Sequence, residues 1–231
     1  MKLNLPAIRT AVKKAVFVYV LSIVFFHLAF IALTSMTLFI YKWVNPPATT
    51  LMLHRAVALR WPVQRPRFLP LNEIPQRTRS MIIRVEDGTF YTHRGILPAA
   101  LRHAWETNKR LGRPVYGGST ITMQTARTLF LVPEKSYFRK YLEMILALEM
   151  ELILSKDRIF ELYLNYAEWG RGVFGIEAAA RHHFGRPVKE LGRDQTIRLV
   201  TLLSSPIIYT PQTLRKNAIL NSRYVYLSER F

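Results

Sequence analysis

The pattern of apolar and polar positions divides the chain into two unequal parts. From Val16 to Tyr41 apolar residues run on with no formal charge, a longer run than the roughly 20 residues that carry a helix across a bilayer core. From Ile74 onward apolar residues recur mostly at helical spacing, with few convincing period-two runs, so a mainly α domain is expected. Asn45-Pro46-Pro47 ends the first helix, and the stretch to Pro75 is rich in proline and arginine, as a linker is. The expected divisions are a basic tail over 1–15, an anchor over 16–44, a linker and lead-in over 45–73, and the helical domain over 74–231.

Inside the domain the pattern predicts individual helices. The first begins at a cap from Asn72, buries Ile82, Ile83 and Val85, and ends at Gly88. Residues 96–116 mix Leu97, Leu101, Trp105 and Leu111 with Arg102, Lys109, Arg110 and Arg113, a basic amphipathic stretch. It fits either an ordinary surface helix or one lying in a membrane interface. Gly117-Gly118 then turns into a helix capped by Ser119 or Thr120. Ser136 caps a long helix running to about Leu154, with Phe138, Tyr141, Leu142, Ile145, Leu148 and Leu152 on its apolar surface. Leu191 to Pro206 keeps a helical pattern, and Tyr224 to Leu227 reads as domain packing. No internal repeat is evident.

Charge narrows the partners. The 231 residues carry 33 basic against 15 acidic side chains, a net charge of +18, which favours an anionic partner: nucleic acid, a membrane surface or a phosphorylated substrate. There is no cysteine, so disulfides and thiolate metal sites are excluded. Lys2, Arg9, Lys13 and Lys14 precede the apolar run, which puts the N-terminus in the cytoplasm and everything after Lys42 outside. A cleaved signal peptide is the competing reading, but the run exceeds a usual signal core and lacks a small-x-small site at its end. His27 within the span is either functional or a neutral imidazole satisfied by its own helix.

Three stretches carry candidate chemistry. Glu86-Asp87 ends a helix at a predicted cleft edge, where a general base is useful; a solvated helix end is the plainer reading. The Gly117 to Gln124 turn gathers free N–H groups at a helix start, the arrangement that binds phosphate, although it lacks the spacing of a nucleotide loop. Arg139, Lys140 and Glu143 fall on neighbouring faces of one helix. A carboxylate flanked by two cations suits a pyrophosphate site, while a simple i,i+4 ion pair explains the same spacing.

Taken together, these stretches resemble the peptidoglycan glycosyltransferases of family 51. The likeness rests on Glu86-Asp-x-x-Phe90-x-x-His93-x-Gly95, Gly117-Gly-Ser-Thr-Ile-Thr-x-Gln124, and Arg139-Lys-x-x-Glu143-x-x-x-Ala147-x-x-x-Glu151. Two further blocks agree, Lys156 to Ile159 leading to Tyr163-Leu164-Asn165 with Gly170, and Gly175 to Ala180 with Phe184-Gly185. The resemblance spans about Ile74 to Tyr209. It implies a lysozyme-like domain on a single N-terminal anchor, outside the cytoplasmic membrane, polymerising lipid II into glycan strands with release of undecaprenyl pyrophosphate. The chain ends at Phe231 without room for a transpeptidase domain, so the monofunctional form is expected.

Residue roles follow from the same resemblance. Glu86 is expected as the general base in low-polarity surroundings, and Glu143 as the second carboxylate near the donor pyrophosphate. Arg127, Lys135, Arg139 and Lys140 are expected to contact phosphate, with Ser119, Thr120 and Gln124 lining the same cleft. Asp87, Phe90 and His93 are expected as supports. No tightly bound cofactor and no metal site are expected, although a divalent magnesium or manganese ion at the substrate pyrophosphate is compatible with the resemblance. Expected partners are lipid II, the growing strand, membrane lipids and other cell-wall synthesis or division proteins, with no nucleic acid. Met123 and Thr128 depart from the family's usual glutamine and asparagine, putting donor affinity in question. Two other functions fit parts of the pattern: a lysozyme-like glycan-cleaving enzyme, for which the cationic cluster has no use, and a non-catalytic membrane scaffold.

Overall fold

The computed structural model describes residues 5–113, 117–134 and 136–231, the side chains of residues 5–8 excepted. Lys135 therefore lies outside the described residues, as does Tyr116. The fold is mainly α, as the periodicity predicts.

Helix α1 runs from Leu5 to Tyr41, starting earlier than the apolar run because the basic tail joins it. Its flanks stay exposed at Phe17, Tyr19, Phe25, Leu28 and Leu33, an apolar surface that water would not tolerate. Within it, His27 Nδ1 donates to the carbonyl of Ile23 at 2.7 Å, so the imidazole is satisfied by its own helix.

The stretch read as a linker is largely docked. After the short helix α2 (Thr50–Leu53), Thr50 Oγ1 donates to Leu129 O at 3.0 Å. Arg55 forms a bidentate pair with Glu168, Nε donating to Oε1 and Nη2 to Oε2, and Tyr166 Oη donates to Pro46 O at 2.6 Å. Gln64 N–H donates to Gly172 O. Gly172 holds φ +73, and a Cβ there would lie 2.2 Å from Pro62 O, so this approach requires glycine.

Helix α3 (Gln76–Glu86) starts after Pro75 without a side-chain cap. The expected Asn72 cap is not made, because Asn72 sits in a 3-10 turn (Leu71–Glu73) and proline already supplies the break. Next come α4 (Pro98–Leu111), α5 (Ile121–Phe130), α6 (Tyr137–Ile153) and α7 (Lys156–Tyr166). Thr120, not Ser119, caps α5, its Oγ1 accepting from Met123 N–H at 3.1 Å. Ser136 caps α6 as the sequence predicts.

A two-stranded antiparallel hairpin, β1 (Glu168–Gly170) and β2 (Val173–Phe174), pairs Glu168 with Phe174. Helices α8 (Ile176–Phe184), α9 (Arg193–Leu202) and α10 (Ala218–Arg230) complete the chain. The centre is α5, which buries Ile121, Met123, Ala126 and Leu129 against α6 and α7, with Phe160, Leu164 and Trp169 sealed behind. Each such aliphatic or aromatic side chain contributes about 1.5–3 kcal/mol on burial, so the helix that bears Gln124 and Arg127 stands on a rigid floor.

Candidate active site

Glu86 is the last residue of α3, and Asp87 caps it. The two carboxylates have opposite fates. Asp87 is buried, and its Oδ2 accepts from His93 Nε2 at 2.8 Å and from the Ile121 backbone N–H at 2.9 Å. His93 Nδ1 in turn accepts from Gly95 N–H at 3.0 Å. Asp87 thus ties the end of α3 to the N-terminus of α5, where a carboxylate also meets the favourable end of the helix dipole. Phe90 is fully buried, edge-on to His93 and packed on Phe160. The expected supports therefore surround the turn, with Glu86 left facing the cleft.

The low-polarity surroundings expected for Glu86 from the sequence are not found: its neighbours are an amide and a guanidinium. Gln124 Nε2 donates to its Oε2 at 3.2 Å, and Arg223 on α10 forms an ion pair with its Oε1. Gln124 Oε1 accepts from Tyr163 Oη at 3.3 Å. Burial, reinforced by the nearby Glu86 charge, pushes the Tyr163 phenol well above its ordinary value, so it remains a hydrogen-bond donor that fixes the Gln124 amide.

At the second centre Glu143 is fully buried on α6. Lys140 Nζ lies 2.7 Å from its Oε1, and Arg139 pairs with its Oε2. Lys140 Nζ also donates to Ser119 Oγ at 2.7 Å, which joins the glycine turn to α6. Burial lowers the Lys140 pKa, with the Glu143 carboxylate opposing the shift. Removing this carboxylate from water is tolerable because both oxygens meet a cation.

Two pockets of about 450 Å³ form one elongated cleft with a common wall of Gln124, Arg127, Leu203 and Ser204. One reaches Glu86, Ser119 and Arg223; the other reaches Arg55, Arg139, Tyr163 and Glu168. Among the described residues Arg127 has no ion-pair or hydrogen-bond partner, so an uncompensated guanidinium stands midway along the cleft. Thr120 lines a smaller recess beside Glu86 and Asp87. Met123 is fully buried and lines none of these surfaces, so its departure from the family pattern concerns packing, whereas Thr128 lines the Arg139 pocket.

Two residues escaped the sequence reading. Arg223 lies 137 positions from Glu86, just before the run Tyr224 to Leu227 read as packing. Glu168 is a second carboxylate in the cleft wall besides Glu86, paired with Arg55, its pKa raised by burial with Arg55 opposing. Its signal was present in the block before Gly170, where an acidic residue interrupts buried positions. Among the described residues no group of three His, Asp or Glu is placed to hold a metal ion. Glu143 and Glu168 are both paired with cations, so among the described residues this end of the cleft offers no unpaired carboxylate.

A carboxylate at the cleft edge and a cationic centre built on a second, buried carboxylate form an arrangement compatible with glycosyl transfer. Comparison with known proteins agrees: the family model described as Transglycosylase matches residues 55–229. The chain belongs to the transglycosylase family, whose domain is lysozyme-like. It is similar to the biosynthetic peptidoglycan transglycosylase of Burkholderia orbicola (strain MC0-3), 46% identical over 185 residues, covering 78% of this chain and 73% of the relative. The protein of the same description from Dechloromonas aromatica (strain RCB) is 42% identical over 193 residues, 80% of this chain and 84% of the relative.

Proposed function

We propose that this chain is a peptidoglycan glycosyltransferase that polymerises lipid II and releases undecaprenyl pyrophosphate. The observation that carries this reading is the uncompensated Arg127 between Glu86 and the Arg139–Lys140–Glu143 centre. A neutral glycan has no use for that cation, which argues against a hydrolase; a diphosphate leaving group does.

In this mechanism the acceptor's 4-hydroxyl lies at Glu86 and attacks the anomeric carbon of the donor from the face opposite its diphosphate. The new C–O bond forms as the bond to the diphosphate oxygen breaks, the hydroxyl proton passes to Glu86, and the electron pair leaves with the diphosphate. Arg127, Arg139 and Lys140 receive the developing charge, a role Lys135 shares by family resemblance. Glu143 holds Arg139 and Lys140 in place, while Ser119, Thr120 and Gln124 shape the cleft. Any magnesium or manganese ion at the leaving group would be held by substrate oxygens, since the nearby carboxylates are engaged.

The anchor supports access to a lipid-linked substrate. Phe26 meets Phe138, His27 meets Tyr141 and Thr34 meets Glu149, so α1 and α6 run side by side in the same direction. A bilayer core of about 20 residues beginning at Val16 ends near Ser35, and Phe26 lies about 13 Å below that level at the helical rise. Tyr137 and Phe138, exposed on the first turn of α6, then enter the outer leaflet. Helix α4 buries only Ala104 and exposes Trp105, with Lys109 over its ring, a face suited to the headgroup region. The positive N-terminal flank supports an orientation with the domain on the outer side of the cytoplasmic membrane.

Incubating the purified full chain with labelled lipid II tests the reading. Polymer is the expected product. Cleavage of finished glycan would favour a hydrolase, and absence of either reaction would favour a scaffold.

A further inference from the structure

A general base must offer a lone pair to the hydroxyl it deprotonates. Here each Glu86 oxygen already accepts one hydrogen bond, Oε2 from Gln124 and Oε1 from the charged Arg223, which lowers its basicity and crowds approach. The Glu86 and Arg223 side chains are 11% and 16% exposed, so water screens the pair weakly. With its charge neutralised by a guanidinium, the carboxylate is masked.

Arg223 is held loosely where it matters. Its Nη1 donates to Ser204 Oγ at 2.6 Å, while its Nε is buried with no hydrogen-bond partner among the described residues. The backbone beneath it is firm: on α10, Tyr224 Oη donates to Asp194 Oδ1 and Arg215 stacks over the Tyr224 ring. Arg223 and Arg127 face the same pocket. A fork of N–H donors on a fixed stem, incompletely satisfied and beside an uncompensated cation, is suited to changing partner when phosphate oxygens arrive.

We propose that Arg223 is an exchangeable counter-ion. In the resting protein it masks Glu86, and when a diphosphate occupies the cleft the guanidinium turns to the phosphate oxygens and frees Oε1 for the acceptor hydroxyl. Base and leaving group are thereby coupled: Glu86 becomes competent only when the donor is seated. This deepens the glycosyltransferase reading and rests on it for the identity of the diphosphate.

Carboxyl labelling of the full chain with a carbodiimide and an amine tests the exchange without requiring turnover. Glu86 modification is mapped by mass spectrometry and normalised to Glu134, whose side chain is 63% exposed, with and without inorganic pyrophosphate. The expected result is a severalfold rise at Glu86 with pyrophosphate in the unmodified chain. In Arg223→Ala labelling is high in both conditions, and in Arg223→Lys it again responds to pyrophosphate. Labelling that ignores pyrophosphate in the unmodified chain overturns the exchange, as does Arg223→Ala labelling that stays low. If Arg223→Ala does not fold, the unmodified chain and Arg223→Lys decide. Polymerisation kinetics add a second discriminator: exchange raises the donor KM in Arg223→Ala, whereas a purely static support lowers kcat alone. Unresponsive labelling in an enzyme that polymerises lipid II removes the exchange only, and responsive labelling without polymerisation removes the glycosyltransferase reading only.

Discussion

Thr34, on the apolar helix α1, donates from Oγ1 to Glu149 Oε2 on α6 at 2.7 Å, and Ser35 adds a second donor at 3.0 Å. Glu149 is buried and its Oε1 has no partner among the described residues, so these hydroxyls supply its hydrogen bonds. Arg158 holds the other end of the junction through Tyr41 O, Val44 O and Asn45. Thr34→Val with Ser35→Ala strands a buried carboxyl, at a cost of about 1–3 kcal/mol. A fall in Tm of roughly 2–12 °C is expected, with stability returning when Glu149→Leu is added. Unchanged unfolding of the double variant would mean the anchor is not latched there.

The site depends on one close backbone approach. Gly95 adopts φ +83, and a Cβ there would lie 2.9 Å from both Ala147 O and Glu151 Cγ. Thr120 Oγ1 also donates to Gly95 O at 2.6 Å. Gly95→Ala strains the turn by about 1–3 kcal/mol and displaces the Glu86 turn relative to α6, so kcat and Tm fall together. Loss of neither would contradict the packing described.

Much of this arrangement is legible in the sequence, for local reasons. Ser136 and the apolar spacing define α6, and the same spacing brings Arg139 and Lys140 onto Glu143. Gly88 marks where α3 has ended, leaving Glu86 on its last turn. What is not legible is tertiary. Nothing local to Arg223 or Glu86 announces their pairing, and Pro75 overrode the Asn72 cap. The choice between Ser119 and Thr120 as cap required Lys140 to claim the serine hydroxyl.

Arg127 and Arg139 separate binding from stability. Among the described residues Arg127 has no side-chain partner, so Arg127→Ala should leave Tm unchanged or raised while weakening the donor about 10–100-fold, the loss of about 1.5–3 kcal/mol of charge-assisted bonding. Arg139→Ala deprives the fully buried Glu143 of one cation and should cost about 3 kcal/mol of stability as well. Equal effects on Tm would contradict the assignment.

Lys140 makes the donor site sensitive to alkali. Burial depresses its pKa below the ordinary 10.5, and its ammonium attracts phosphate only while protonated. Affinity is therefore full below the shifted pKa and declines as pH rises through it, earlier than for an exposed lysine. The donor KM should climb on that limb in the unmodified chain. Lys140→Arg, which retains its charge, should flatten the climb, and an unchanged limb in that variant would remove Lys140 as its source.

The most direct measurement is lipid II polymerisation by Glu86→Gln beside the unmodified chain, with thermal unfolding recorded for both. The amide keeps the size of the side chain but cannot accept the acceptor's proton, so the account predicts no polymer from a protein that unfolds at an essentially unchanged temperature. Polymer at the normal rate from Glu86→Gln would contradict it.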